Sequence, residues 1–170
     1  MEENNFQLST LNPQLIECVP NFSEGRNIGT INAIADAIRS VDGVRVLHID
    51  RGEAANRTVI TFMGPVEAVV EAAFRMVKCA SELIDMREHR GEHPRIGATD
   101  VLPLIPLKNI TLSECVELAR QLARRIYKEL GVPTYCYEAA AYRPEHVNLA
   151  DCRRGEYEGL RDKMCDPVMR

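Results

Sequence analysis

Apolar positions recur at two different periods along this chain, and the changes of period mark out its elements. Ile16 and Cys18 alternate with Glu17 and Val19 in a short strand pattern from Leu15 to Phe22 that Pro20 should stop. Ile28, Ile31, Ile34, Ala35 and Ile38 then recur at three and four, which predicts a helix from about Asn27 to Ser40, with Ser23 or Asn27 as its cap. Asp42-Gly43 ends it. Val44 to Asp50 carries apolar residues on both sides and reads as a central strand, and Arg57 to Met63 alternates as a second. The short turn between them predicts an antiparallel hairpin.

After Gly64-Pro65, a stripe from Val66 to Ile84 spells the strongest helix of the chain, with Pro65 suited to its first turn. Val101 to Leu107 is apolar but interrupted by Pro103 and Pro106, which restricts it to an edge strand or an irregular extended segment. Thr111 and Glu114 have capping-box spacing ahead of the stripe Cys115, Leu118, Leu122, Ile126 and Leu130, and Gly131 closes that helix. Val132 to Tyr137 reads as a last strand. Beyond Ala141 the pattern turns polar, with a helix over Pro144 to Arg153 and an irregular segment from Gly155 to Leu160.

This order predicts an α+β fold: a ferredoxin-like βαββαβ sheet with helices on one face, extended by a C-terminal αβ unit. The expected layout is a flexible leader over residues 1–13, a single domain over 14–160, and a linker over 161–170 that looks cut short. Apolar residues on both sides of the strands predict that the sheet's second face packs on another domain, a second copy or a ligand.

Composition narrows the function. The 170 residues carry a net charge of -4, which leaves no basic face of the size nucleic acid demands. No apolar run approaches the roughly 20 residues that cross a bilayer, and the N-terminus lacks a signal pattern, so no membrane partner and a cytoplasmic location are expected. Six cysteines stand at wide spacing without a CxxC pair, which fits buried thiols better than a zinc framework or a disulfide scaffold.

The polar stretch REHRGEHPRIGATD, Arg87 to Asp100, sits between the strongest helix and a strand. It places imidazole and guanidinium beside carboxylate, the groups that move protons and hold anions. Pro94 disfavours helix at His93, so His93 should lie on a fixed turn. The polar strand ends of the fold would bring Glu17, Asn21, Asp50, Asn56, Arg57, His93 and Arg95 toward one end of the sheet. A metal site on His89 and His93 with Glu88 or Glu92 is the weaker reading, because Gly91 should break the helix that would align the two imidazoles.

Four ordered segments carry a family resemblance: LIECVPNFSEG at Leu15 to Gly25, NRTVITFMGP at Asn56 to Pro65, LIDMREHRGEHPRIGATDVLPLIP at Leu83 to Pro106 and RRGEYEGL at Arg153 to Leu160. Together they resemble the N-terminal subdomain of glutamate formiminotransferase, the transferase half of formiminotransferase cyclodeaminase, over about residues 14–160. The resemblance implies transfer of the formimino group of formiminoglutamate to N5 of tetrahydrofolate in histidine degradation, with glutamate released and folate as co-substrate rather than a metal. It also implies that His93, the histidine of GEHPR, matches the family's catalytic histidine.

Charge logic adds Asp50 to orient His93 or steady the cationic amidine and Arg57 or Arg95 to hold a substrate carboxylate, and Asn21 is a further candidate for binding substrate. The family's module has two similar subdomains with folate between them, so the expected partner is a C-terminal subdomain or a second copy in a homo-oligomer. The competing expectation is a non-catalytic folate-binding or interaction module.

Overall fold

A computed structural model describes residues 12–166. β1 (Leu15–Cys18) does not end the first extended stretch at Pro20, because the chain resumes as β2 (Asn21–Phe22) after a two-residue break. Proline only removes one donor. The carbonyl of Pro20 still accepts from the backbone N–H of Ile60 at 3.1 Å, so the line of pairing continues past it.

α1 (Ile28–Arg39) is capped by Asn27, whose side chain accepts from the backbone of Thr30, and it buries Ile31, Ile34, Ala35 and Ile38. Ile28, the first of the predicted stripe, is exposed at the helix start. β3 (Arg45–Gly52) and β4 (Arg57–Pro65) form the predicted hairpin, with Val46 opposite Phe62 and Asp50 opposite Val59. β3 is not central, however. It pairs with β4 alone among the described strands, and an irregularity between Val46 and His48 breaks its alternation and leaves Leu47 at the surface.

β4 is the central strand, and its burial alternates residue by residue. On its other side it pairs first with β2, then with β1. α2 (Val66–Leu83) follows Pro65 directly and buries Val69, Ala73, Val77 and Ala80 on one stripe. The far edge consists of β5 (Thr99–Val101) against β2 and β6 (Leu104–Lys108) against β1, separated at Pro103 as an edge strand with prolines allows. Every pairing in the sheet is antiparallel, giving an α+β architecture.

α2 packs across β1 and β4, with α1 beside it over β3 and α3 (Leu112–Leu130) beside it over β6. The face they cover supplies Ile16, Cys18, Ile60 and Phe62, all fully buried. α3 starts with the complete capping box of Thr111 and Glu114 and ends at Gly131 in the left-handed conformation, as its sequence predicts.

Residues 132–137 pair with no strand among the described residues, contrary to the expected last strand. They run instead into a 3-10 turn at Glu138–Ala140. Pro133 cannot donate to a ladder, and β6 offers only a proline-bearing edge. The helix expected over Pro144 to Arg153 is likewise divided, into a 3-10 turn at Pro144–His146 and α4 (Leu149–Arg153), before α5 (Leu160–Cys165).

Between α2, α3, β5, β6 and residues 132–164 lies a cavity of about 540 Å³, lined chiefly by aliphatic and tyrosine side chains. No helix among the described residues is long and apolar enough to cross a membrane. The proposed leader falls largely on residues 1–11, outside the described range; of the proposed linker, residues 161–165 lie in α5 and 167–170 lie outside the described range.

Candidate functional site

Strand register collects the first three residues. Asn21 and Asp50 both stand opposite Val59, one from each side of β4, and directly opposed residues project to the same face of a sheet. That face is the one turned away from the helices, and Arg57 lies on it two residues before Val59. Arg57 Nε donates to Asn21 Oδ1 at 2.6 Å. Its two terminal nitrogens donate to no protein group among the described residues. Burial first, and then the Arg153 cation, draws the Arg57 guanidinium below its usual range, against the opposing pull of Asp100 and Asp50. Asp50 is exposed and makes no side-chain hydrogen bond among the described residues. Glu17 stands opposite Met63, four residues further along β4, and therefore roughly 13 Å from this group.

The loop after α2 supplies the imidazoles. Gly91 comes so close to the β3–β4 turn that a Cβ there would lie 2.1 Å from the carbonyl oxygen of Ala55. Only glycine permits that approach. Asn56, in the left-handed conformation at φ 48°, accepts from Gly25 N–H at 2.9 Å and donates to Arg90 O at 3.0 Å. It thus ties together the β2–α1 loop, the hairpin turn and the histidine loop. Its role is architectural, since all three of its contacts, including the one from His89 described below, are internal.

His93 sits half-buried at the rim of a small cleft that it shares with Phe22, Ser23, Asn56, Arg57 and His89, among others. Its Nδ1 lies 2.6 Å from the carbonyl oxygen of Pro94. A carbonyl only accepts, so Nδ1 carries the proton and the lone pair of the neutral ring is on Nε2. The cleft has a free volume of about 10 Å³, room for about one water. A molecule larger than water would lie across its mouth rather than inside it.

Arg95 is placed differently from a residue that waits for a substrate. It is buried, and its guanidinium meets Glu158 through both terminal nitrogens at 2.7 and 2.8 Å and Glu156 at 2.7 Å. Arg95 Nε donates to His89 Nδ1 at 3.1 Å, and His89 Nε2 donates to Asn56 O at 2.8 Å. Hydrogen bonding to Glu158, opposed by burial, raises the pKa of Arg95 above its usual range. Both ring nitrogens of His89 are thus occupied, and the loop from 89 to 98 is not helical. Nor does any group of three His, Cys, Asp or Glu among the described residues form a metal site.

Sequence reasoning did not anticipate the acidic partners. Besides Glu156 and Glu158, the buried Asp100 accepts from Ile96 N–H at 3.0 Å and pairs with Arg153. RRGEYEGL held one end of each of these contacts, Arg153, Glu156 and Glu158, in plain view as charged residues. Their partners lie 53 to 63 positions away in the chain, beyond the reach of any local pattern.

A six-stranded antiparallel sheet with an acid, an amide, a guanidinium and an imidazole at one end of its open face defines an α+β domain with the groups needed for proton and anion handling. A model of the formiminotransferase domain, N-terminal subdomain, matches residues 15–170, and the chain belongs to that family. Among relatives, glutamate formimidoyltransferase of Streptococcus pyogenes serotype M1 is 48% identical over 153 residues, covering 90% of this chain and 51% of the relative. Glutamate formimidoyltransferase of Thermoplasma acidophilum is 49% identical over 150 residues, 87% of this chain and 50% of that protein. Formimidoyltransferase-cyclodeaminase of Rattus norvegicus is 50% identical over 151 residues, 89% of this chain and 28% of that protein. The chain spans about half the length of the first two.

Proposed function

We propose that this chain is one wall of a glutamate formimidoyltransferase site, moving the formimino group of N-formimino-L-glutamate to N5 of tetrahydrofolate with His93 as general acid and base. The observation that carries this reading is the pose of His93: its Nδ1–H is fixed on Pro94 O, which leaves Nε2 as the basic nitrogen at the cleft rim beside Arg57. The family membership and the names of the relatives support the substrate class.

The chemistry proceeds by addition and elimination. N5 attacks the amidine carbon, and a new C–N bond forms as the C=N bond becomes single. Nε2 of His93 takes the proton that N5 sheds. The resulting imidazolium then donates that proton to the glutamate nitrogen, whose bond to the formimino carbon breaks as C=N re-forms on the folate side. Protons and bonds balance, and His93 ends in its starting state. Arg57, with both terminal nitrogens unengaged by protein, binds a substrate carboxylate as a fork, and Asn21 holds its Nε side. Asp50 faces the cationic amidine across the rung of Val59. Arg95, paired with two carboxylates, serves this site by holding its loop.

The half-length match supports completion of the site over the open sheet face by a C-terminal subdomain or by a second copy in a homo-oligomer. The strand order, with β5 and β6 outermost, then β1 and β2, then β4, then β3, supports a ferredoxin-like sheet over 14–160.

Formimino transfer by the chain, alone and with a separately produced C-terminal subdomain, tests the proposal. His93→Ala is expected to abolish transfer, by about 10²-fold or more, with folding intact. Equal turnover by the variant would remove His93 from the chemistry. Binding of folate without turnover in either preparation would favour the non-catalytic module.

A further inference from the structure

One segment distant in sequence from the candidate site grips the histidine loop. The segment Arg153 to Glu158 crosses the loop Arg87 to Asp100 and clasps it twice, by Arg153 on Asp100 and by Glu156 and Glu158 on Arg95. The backbone joins in, since Tyr157 N–H donates to Arg95 O at 3.0 Å. Gly155 and Glu156 both take positive φ, 82° and 53°, a conformation that costs a glutamate energy and persists where surrounding contacts hold it.

The second clasp does more than tether. Glu158 meets the two terminal nitrogens of Arg95 as a fork, which fixes the plane of the guanidinium. The third face of that plane, Nε–H, is then aimed at His89 Nδ1. Arginine can only donate, so Nδ1 of His89 must accept, and the ring proton is forced onto Nε2, where it reaches Asn56 O. His93 lies between the two loop residues so fixed, four positions after His89 and two before Arg95.

We propose that Glu156 and Glu158 are positioning residues that act through Arg95 and His89 to set the pose of His93. The inference rests on the transferase reading for its consequence in turnover, but the hydrogen-bond relay itself can be read without it. An ordinary surface ion pair would contribute little. Here the guanidinium is buried, its side chain 8% exposed, and one of its donors decides a tautomer.

The test is side-chain ¹⁵N NMR of the histidines in the 170-residue chain, compared with Glu156→Gln/Glu158→Gln and with Arg95→Lys. Lysine keeps the positive charge but has no planar fork and no Nε–H aimed at His89. In the parent chain His89 is expected as the Nε2–H tautomer alone and His93 as the Nδ1–H tautomer. In both variants His89 is expected to show a mixture of tautomers, and His93 to lose its single form. Turnover, measured with the C-terminal subdomain present if the chain requires it, should fall about 10- to 100-fold in kcat with KM nearly unchanged.

Variants that keep both tautomers and the parent kcat, with only a lower urea midpoint, would overturn the relay and leave a simple stability clasp. Should the double variant fail to fold, Arg95→Lys alone decides the tautomer question. If even the parent chain shows no transfer under any condition, the transferase reading fails while the NMR comparison still decides the relay.

Discussion

Single residues at this site act by excluding alternatives. Gly91 is required by contact: an added Cβ would meet the Ala55 carbonyl at 2.1 Å and the Asn56 Cβ at 3.0 Å. Backbone cannot yield as a side-chain tip can, so Gly91→Ala should push the histidine loop off the hairpin turn. The expected cost is about 1–3 kcal/mol, read as a lower urea midpoint, with transfer activity falling alongside. Glu158 gives a prediction in pH. Its hydrogen bonds to Arg95 hold its carboxyl down to about 2, below its ordinary value of 4.5. A depressed carboxyl stabilises the fold above its unfolded pKa and loses that contribution as pH falls through the folded one. The difference in urea midpoint between the parent chain and Glu158→Gln should therefore be constant above about pH 4.5 and vanish toward pH 2. A difference independent of pH across that window would contradict the assigned pair. The contribution is reduced by solvent, because the Glu158 side chain is 60% exposed.

At the scale of elements, the helices follow their own sequences closely. α3 has its cap, stripe and stop encoded within about twenty consecutive residues, and each forms as read. Thr111 Oγ1 accepts from Glu114 N–H at 3.2 Å while the Glu114 carboxylate accepts from Thr111 N–H at 2.8 Å. Thr111→Ala removes one half of this exchange and should cost about 1 kcal/mol in denaturant unfolding, whereas Thr111→Ser should retain most of it. α3 is also bound to its neighbour, since Arg125 pairs with Glu71 of α2 and stacks at 3.7 Å over the Phe74 ring. Strands obey their sequences less. β3 has the apolar content of a central strand, yet it pairs with β4 alone among the described strands, and an irregularity between Val46 and His48 interrupts the two-sided pattern that its composition suggested. Residues 132–137 have strand-like composition and no pairing partner among the described residues. A helix satisfies its backbone within itself, while a strand depends on what chain segment lies alongside.

The whole molecule combines a helix-covered face with an open one, and the candidate site lies at the end of the open face where three strands and two loops converge. The sequence by itself determined the α+β class, the positions of α1, α2 and α3, the β3–β4 hairpin and the edge character forced on β5 and β6 by Pro103 and Pro106. It also marked the histidine loop and carried the family likeness, because these are local patterns or ordered motifs. Asn21, Asp50 and Arg57 were legible as candidates, and strand register brought them onto one face. The tertiary structure alone decided that Arg95 is held by Glu156 and Glu158, that Asn56 serves as a staple, and that His89 carries its ring proton on Nε2. The physical reason is distance along the chain. Local sequence sets which hydrogen bonds a residue can offer, but which partner accepts them depends on segments brought together from 31 to 63 positions away, and only the packed fold fixes that juxtaposition.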